Sequence, residues 1–286
     1  KIASVSDTSV SSASAVFTRV VPDLTGSMLL AAATVQQKNV ATASTSAGRP
    51  AAVYVDFSNG AATAAKLKYA FRDGTSASDT WNTVLIPGTV SPQFPSIAFD
   101  ESNKPWISYY DAGPTRYYLA TNSLSDGTGS WSTYEFPAVP SGALAGLPAA
   151  NESAVAMYYS GGIAHPVMLI IDNTATAKGV KASKLHATNR TWSATTTIDA
   201  ITVTGASHLS ADFNTSGTIV AAFRNLSTPR VSYSTSSDAT TWSTTLAVSA
   251  PAQGQGAHIQ LNPATGSPAI AYYDRANNVV NLASCS

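Results

Sequence analysis

The sequence predicts an all-β chain folded as a β-propeller, most simply of five four-stranded blades. Three observations carry this. A step from proline to aspartate recurs as Pro50-AAVYV-Asp56, Pro105-WISYY-Asp111, Pro166-VMLII-Asp172 and Pro268-AIAYY-Asp274, with Thr218-IVAAF-Arg224 as a degenerate copy, at spacings of 50 to 61 residues. Such a period, made of short strands, marks a radial array of blades. A tryptophan recurs later in each unit, at Trp81, Trp131, Trp192 and Trp242. The proline-to-aspartate strands are apolar on both faces. Ile107, Tyr109, Met168, Ile170, Val220 and Ile270 mark one face; Val53, Tyr110, Leu169, Ile171, Phe223 and Tyr273 mark the other. A sheet with one wet face would alternate, so these sheets are expected to be covered on both sides.

Each repeat parses into four strands. In the second they are Pro95–Asp100, Trp106–Asp111, Arg116–Thr121 and Trp131–Phe136, rich in Tyr, Val, Ile and Thr and bounded by Gly, Asn, Asp and Ser. The prolines sit where a strand needs no amide donor. The blades are expected over 38–88, 93–138, 150–199, 205–248 and 256–286, as one domain spanning 1–286. The last repeat has no Trp-opened fourth strand, and Ala15–Val21 (AVFTRVV) is strand-like. The economical reading is that this N-terminal strand completes the C-terminal blade and removes a free sheet edge. Six blades is the alternative, if residues 1–37, which include Met28–Gln37, hold further strands.

Charged residues are 11% of the chain and the formal net charge is zero. That excludes a nucleic-acid partner, which needs a dense cationic face, and an anionic membrane surface. No run of 18 apolar residues exists, so membrane insertion is not expected. Cys285 is the single cysteine, so there is no internal disulfide. The abundance of Ser and Thr, with a start at Lys1 rather than Met, suggests a secreted or cell-surface protein. Any oligomer is expected to form through an attached region.

The repeats resemble those of secreted bacterial propellers related to the sialidase-type Asp-box (BNR) family, over residues 40–286. That family's turn reads Ser-x-Asp-x-Gly-x-Thr-Trp. Here Asp126 to Trp131 keeps the spacing without the Gly and Thr, and Ser236-Ser-Asp238-Ala-Thr-Thr241-Trp242 keeps Ser, Asp, Thr and Trp one residue short. The stretches Thr188–Trp192 and Ser78–Trp81 are more eroded. In that family the turn is a folding device, so the resemblance implies fold and not activity. Small five-bladed propellers include lectins and arabinanase-like glycosidases, and neither group's motif is present.

In a propeller the turns between strands two and three lie on one face with the connectors between blades, where ligands usually bind. Asp56, Asp111, Asp172, Arg224 and Asp274 are therefore expected as a ring on that face, followed by Lys66, Arg116, Lys178 or Lys181, and Arg230. One reading is a repeated cross-strand ion pair, each worth about 0.2–1 kcal/mol. The other is a set of sugar pockets, with Tyr110 and Tyr273 stacking on the ligand. His208 and His258, each sixteen residues before its ring position, are expected to open inner strands at the channel mouth, either tying a connector or touching a ligand. Trp81, Trp131, Trp192 and Trp242 read as core. Trp106 stands where other repeats have Ala51, Val167, Ile219 and Ala269, and is a pocket candidate.

A glycosidase needs two carboxylates about the scissile bond. The chain has only Glu101, Glu135 and Glu152, and Glu152 alone falls on the expected ligand face, with Asp111 or Asp172 as partner. No zinc spacing, phosphate loop or nucleophile elbow is present. The sequence thus points to a non-catalytic propeller binding a glycan or polysaccharide, without metal or cofactor. A glycoside hydrolase or lyase and a protein-interaction scaffold are the alternatives.

Overall fold

A computed structural model describes residues 40–56, 65–76, 79–137, 152–172, 178–200, 206–244, 246–248, 254–262, 265–274 and 276–284. The first sheet holds β1 (Val40–Ser44), β2 (Pro50–Asp56), β3 (Lys66–Arg72) and β4 (Trp81–Leu85). The second holds β5 (Pro92–Phe99), β6 (Pro105–Asp111), β7 (Arg116–Asn122) and β8 (Trp131–Glu135). The third holds β9 (Ser153–Ser160), β10 (Ile163–Asp172), β11 (Gly179–Lys184) and β12 (Thr196–Ala200). The fourth holds β13 (Ala206–Phe213), β14 (Ile219–Asn225), β15 (Arg230–Ser236) and β16 (Leu246–Ala247), and the fifth β17 (Gly254–Leu261), β18 (Pro268–Asp274) and β19 (Val279–Ser284). Each is an antiparallel meander in chain order. Among the described residues there is no helix.

One central cavity is lined by β1, β5, β9, β13 and β17, so the first strand of every sheet is innermost. The sheets are the blades the repeat predicts. The expected strand at Ala15–Val21 and the segment Met28–Gln37 lie outside the described residues, as does Cys285.

Apolar clusters fill the junctions, which is why the second strands are apolar on both faces. On β6, Ile107 and Tyr109 pack with Val53, Leu67 and Phe71 of the first blade, while Trp106 and Tyr110 pack with Met157, Met168 and Ile170 of the third. Val167, Leu169 and Ile171 turn the other way, onto Ile219, Ala221 and Phe223. Trp81 and Trp131, which open β4 and β8, and Trp192 and Trp242, which precede β12 and β16, are half-buried rather than core. Trp131 meets Tyr69 edge-on at 5.9 Å and Trp192 meets Phe136 at 5.5 Å, each reaching back to the preceding blade.

Inner strands expose one edge of backbone amides, and side chains of neighbouring blades satisfy several of them. Ser96 Oγ accepts from Val155 N (3.3 Å), Ser210 Oγ from Ile259 N (3.3 Å) and Asp212 Oδ2 from Leu261 N (2.7 Å). The hydroxyls of Tyr69 and Tyr117 donate across junctions to the carbonyls of Ser125 and Ile171, at 2.6 and 2.7 Å.

The register corrects the degenerate repeat. Asp111 pairs with Arg116 to close its hairpin, and in the fourth blade Asn225 pairs with Arg230 in the same way. Asn225, not Arg224, thus occupies the aspartate position, and Arg224 is equivalent to Tyr110 and Tyr273. A one-residue slip exchanges the two faces of a strand. Accordingly Val220 packs toward the fifth blade and Phe223 toward the third, the reverse of the sequence expectation. The fourth-blade counterpart of Trp106 becomes Val220 rather than Ile219.

Candidate functional site

The hairpin-closing aspartates lie at the ends of their second strands as expected, but three of them are buried structural groups. Asp111 is 1% exposed and accepts the amides of Val90 (2.8 Å), Ser91 (2.8 Å) and Gly113 (3.1 Å), pinning the connector from the first blade. Asp172, also 1% exposed, is paired with Lys181. Asp274 accepts from the amides of Ala276 and Asn277 and from the Asn277 side chain, which hold its carboxyl below the usual range. Asp56 is half-buried and pairs with Lys68 at 2.6 Å rather than with Lys66. Arg116 turns to Glu135 at 2.9 Å instead of Asp111. The cross-strand ion pair therefore holds at Asp56 and Asp172 and is replaced at Asp111 by amide capture.

Tyr110 is buried against Tyr117, with ring centroids 5.0 Å apart, so its face is not open for stacking. Tyr273 is half-buried and its hydroxyl donates to Asn278 Oδ1. Arg224 and Arg230 are half-buried. Glu152 is 2% exposed, and its two oxygens accept the amides of His208 (3.0 Å) and Leu209 (2.8 Å) in the next blade. Burial first, then Tyr110 and the charges of Asp172 and Glu152, push the Tyr117 hydroxyl well up. His208 sits at a β-bulge with φ 56°, matched by Phe94 (51°) and Gly256 (62°) in the second and fifth blades. His258 is exposed within β17 and lines the central cavity.

Two cavities open on the opposite face, where the turns between strands one and two meet those between strands three and four. The first, about 270 Å³, lies between the second and third blades. Its geometry starts from Asp100. Oδ1 of Asp100 accepts the amides of Ser102 and Lys104, both at 2.9 Å, and Oδ2 accepts Trp106 Nε1–H at 3.1 Å. This fixes the indole, which is 3% exposed and stacks with Tyr134 at 6.2 Å and 27°. Glu101 Oε2 accepts the amide of Ala164 at 3.0 Å and ties the two blades together. From the third blade, Arg190 (φ 57°) brings its guanidinium to 5.2 Å from the Trp106 ring centre. Thr121, opposite Trp106 on β7, is 8% exposed and its hydroxyl has no partner.

One position distinguishes this junction from those on either side of it. The residue paired with the Trp106 site on the third strand is Phe71 in the first blade, Thr121 in the second, Lys184 in the third, Thr235 in the fourth and Ser284 in the fifth. Phe71 fills its junction. Lys184 crosses its own, donating to the Asp238 carbonyl at 3.1 Å and lying 4.5 Å above the Tyr158 ring. Thr121, smaller than Phe71 or Lys184, leaves room beside Trp106. The signal in sequence was the anomaly at Trp106; its partner Thr121 needed the register.

The second cavity, about 540 Å³, is the inner end of the central channel. Exposed Thr42, Ser44, His258 and Gln260 face Tyr159 and Phe213 across it, and the turn at Asp100 and Glu101 lines both cavities. Among the described residues no three His, Cys, Asp or Glu side chains gather as a metal site requires.

No protein-family model matches the chain, and no curated protein matches it. Solved structures do. A protein of unknown function from Dyadobacter fermentans DSM 18053 aligns with TM-score 0.58 at 14% identity, covering 87% of this chain and 78% of that one. An Aleuria aurantia lectin variant in complex with Fucα1-6GlcNAc aligns with TM-score 0.57 at 12% identity, covering 87% and 78%. The chain is a β-propeller. An α-L-arabinofuranosidase from Lactobacillus brevis aligns at TM-score 0.49 and 8% identity over 87% and 90% of the two chains, too distant to carry an argument. At these identities the likeness establishes the propeller's fold alone. The turns before Trp242 and Trp192 have a local role in it: Asp238 Oδ1 accepts the amides of Thr240 and Thr241 at 2.7 and 2.6 Å, and Asn189 Oδ1 that of Thr191 at 3.2 Å.

Proposed function

We propose that this propeller binds carbohydrate without cleaving it, through the cleft between its second and third blades. The carrying observation is an imbalance of hydrogen-bonding groups. Asp100 is saturated by three donors, the buried Thr121 hydroxyl has no hydrogen-bond partner, and the exposed Arg190 guanidinium lies over the Trp106 ring. A ligand rich in oxygen acceptors with an apolar face matches the Arg190 guanidinium set beside half-buried Tyr134. Lectin neighbours in structure space support the same reading. Burial and full hydrogen bonding of Glu152 and Asp111 favour binding over hydrolysis, since a general acid or nucleophile must reach the substrate. The low charge of the chain suits a cell-surface or secreted setting.

The test is calorimetric titration with a panel of neutral and acidic saccharides, assayed in parallel for released reducing ends. Binding without release is expected, with Arg190→Ala losing at least about tenfold, or 1.4 kcal/mol. Silence across the panel, or reducing ends released at a rate that Glu152→Gln abolishes, overturns it.

A further inference from the structure

The cleft and the channel cavity are neighbours. The turn at Asp100 and Glu101 forms part of the wall of each, and both open on the same face. The carboxylates also act on the channel side: burial first, then Glu101 and Asp100, raise the Tyr159 hydroxyl above its ordinary value. The channel's two walls differ. Tyr159 and Phe213 present rings 6.2 Å apart at 33° on one side. Exposed Thr42 and Ser44 of β1 and exposed His258 and Gln260 of β17 present polar groups on the other. An aromatic wall facing a polar one suits a molecule with apolar ring faces and polar edges. At about 540 Å³ the channel cavity is twice the 270 Å³ of the cleft.

We infer that the channel cavity is a second subsite of the same ligand, so that the protein takes a linear oligosaccharide passing from the Trp106 cleft over Glu101 into the channel. This rests on the carbohydrate reading of the cleft. The channel residues would hold the inner sugar units, with His258 and Gln260 bonding hydroxyls, and Tyr159 and Phe213 covering ring faces. The sugar in the cleft would be the one that Arg190 selects. Because the two subsites share one chain of ligand, the second contact is intramolecular and adds to affinity without a second binding event.

The experiment uses the full chain and titrates glucose, galactose and mannose against the β-1,4-linked tetrasaccharide of each. For the sugar that binds, the tetrasaccharide is expected at least about tenfold tighter than the monosaccharide, with a stoichiometry of one per chain. Gln260→Ala and His258→Ala, both exposed positions, are expected to collapse the tetrasaccharide-to-monosaccharide ratio toward one, whereas Arg190→Ala weakens both ligands together. Equal affinities of the two lengths, two tetrasaccharides per chain, or a ratio untouched by Gln260→Ala overturns the channel subsite while leaving the cleft reading standing. Failure of every mono- and tetrasaccharide to bind removes both.

Discussion

The guanidinium of Arg190 lies 5.2 Å from the ring centre of Trp106, across the junction of the second and third blades. The two residues differ in what they support. Trp106 is 3% exposed, hydrogen-bonded to Asp100 and packed in the junction core, while Arg190 is exposed at the end of a turn. Trp106→Ala is expected to cost about 3–5 kcal/mol of stability, as large aromatic truncations do. Arg190→Ala is expected to stay within about 0.5 kcal/mol, because exposed positions rarely matter more. Urea unfolding of both variants checks the contrast; a Trp106→Ala loss below that of Arg190→Ala would contradict the placement of the indole.

Thr121 lines the cleft beside Trp106, and its hydroxyl is buried without a partner. Replacing a buried, unpaired hydroxyl by a methyl group of the same shape removes a desolvation cost. Thr121→Val is therefore expected to melt at the same temperature or higher. A variant that melts lower would mean the hydroxyl is bonded in solution. Thr121→Lys, which copies Lys184 of the next blade, is expected to close the cleft.

The repeat breaks at Asn225 for a reason that its neighbour supplies. Asn225 Oδ1 accepts the amides of Ser227 (2.9 Å) and Thr228 (3.1 Å), as an aspartate would, but its Nδ2 donates to Asp199 Oδ2 at 3.2 Å. Burial already pushes the Asp199 carboxyl up. Asn225→Asp would set a second carboxylate against it and raise the pair further. A carboxyl raised on folding contributes stability below its unfolded value and loses it as pH rises through the folded value. The Asn225→Asp deficit in melting temperature is thus expected to be large at pH 7 and to shrink on acidification toward pH about 4. A deficit independent of pH would refute the carboxylate clash.

The same residue shows where sequence reading ends. The period located every second strand and the hairpin-closing carboxylates, because a strand covered on both faces leaves an apolar run between two polar ends. In the fourth blade both ends had changed, Pro to Thr218 or Ile219 and Asp to Asn225, so nothing fixed the register and it slipped by one. The site was less legible. Asp111, Asp172 and Glu152 look like ligand groups when only their face is considered, yet their oxygens are taken by amides and a lysine. The cleft depends on a volume deficit between blades, at Thr121 opposite Trp106, and on Arg190 arriving from the next repeat. No spacing within one repeat encodes that.

Glu152 joins the third and fourth blades by holding the amides of His208 and Leu209 at the bulge of β13. Glutamine keeps one acceptor and turns an amide against the other N–H. Glu152→Gln is expected to cost about 1–3 kcal/mol, the range for a buried amide left without its acceptor. It should leave saccharide affinity at the distant cleft unchanged. Chemical unfolding reads the first outcome and titration the second. Loss of binding with intact stability would move Glu152 from the frame into the site.

Asp238 offers the clearest acid response. Burial pushes its carboxyl up, but the amides and hydroxyls of Thr241 and Thr240 outweigh this and hold it well below its ordinary value near 3.8. A carboxyl depressed on folding contributes stability above its unfolded value and loses it as pH falls through the folded value. The wild-type melting temperature is therefore expected to fall as pH drops below about 3.8. Asn189 does the same work at the third blade's turn with a neutral oxygen, accepting from Thr191 N at 3.2 Å and Thr191 Oγ1 at 2.8 Å. Asp238→Asn should therefore fold, melt somewhat lower at pH 7 through loss of the charge-assisted bonds, and lose less on acidification. The two melting curves are expected to converge below pH 3.8. Parallel curves from pH 7 down to pH 2 would show that the turn draws nothing from the charge on Asp238.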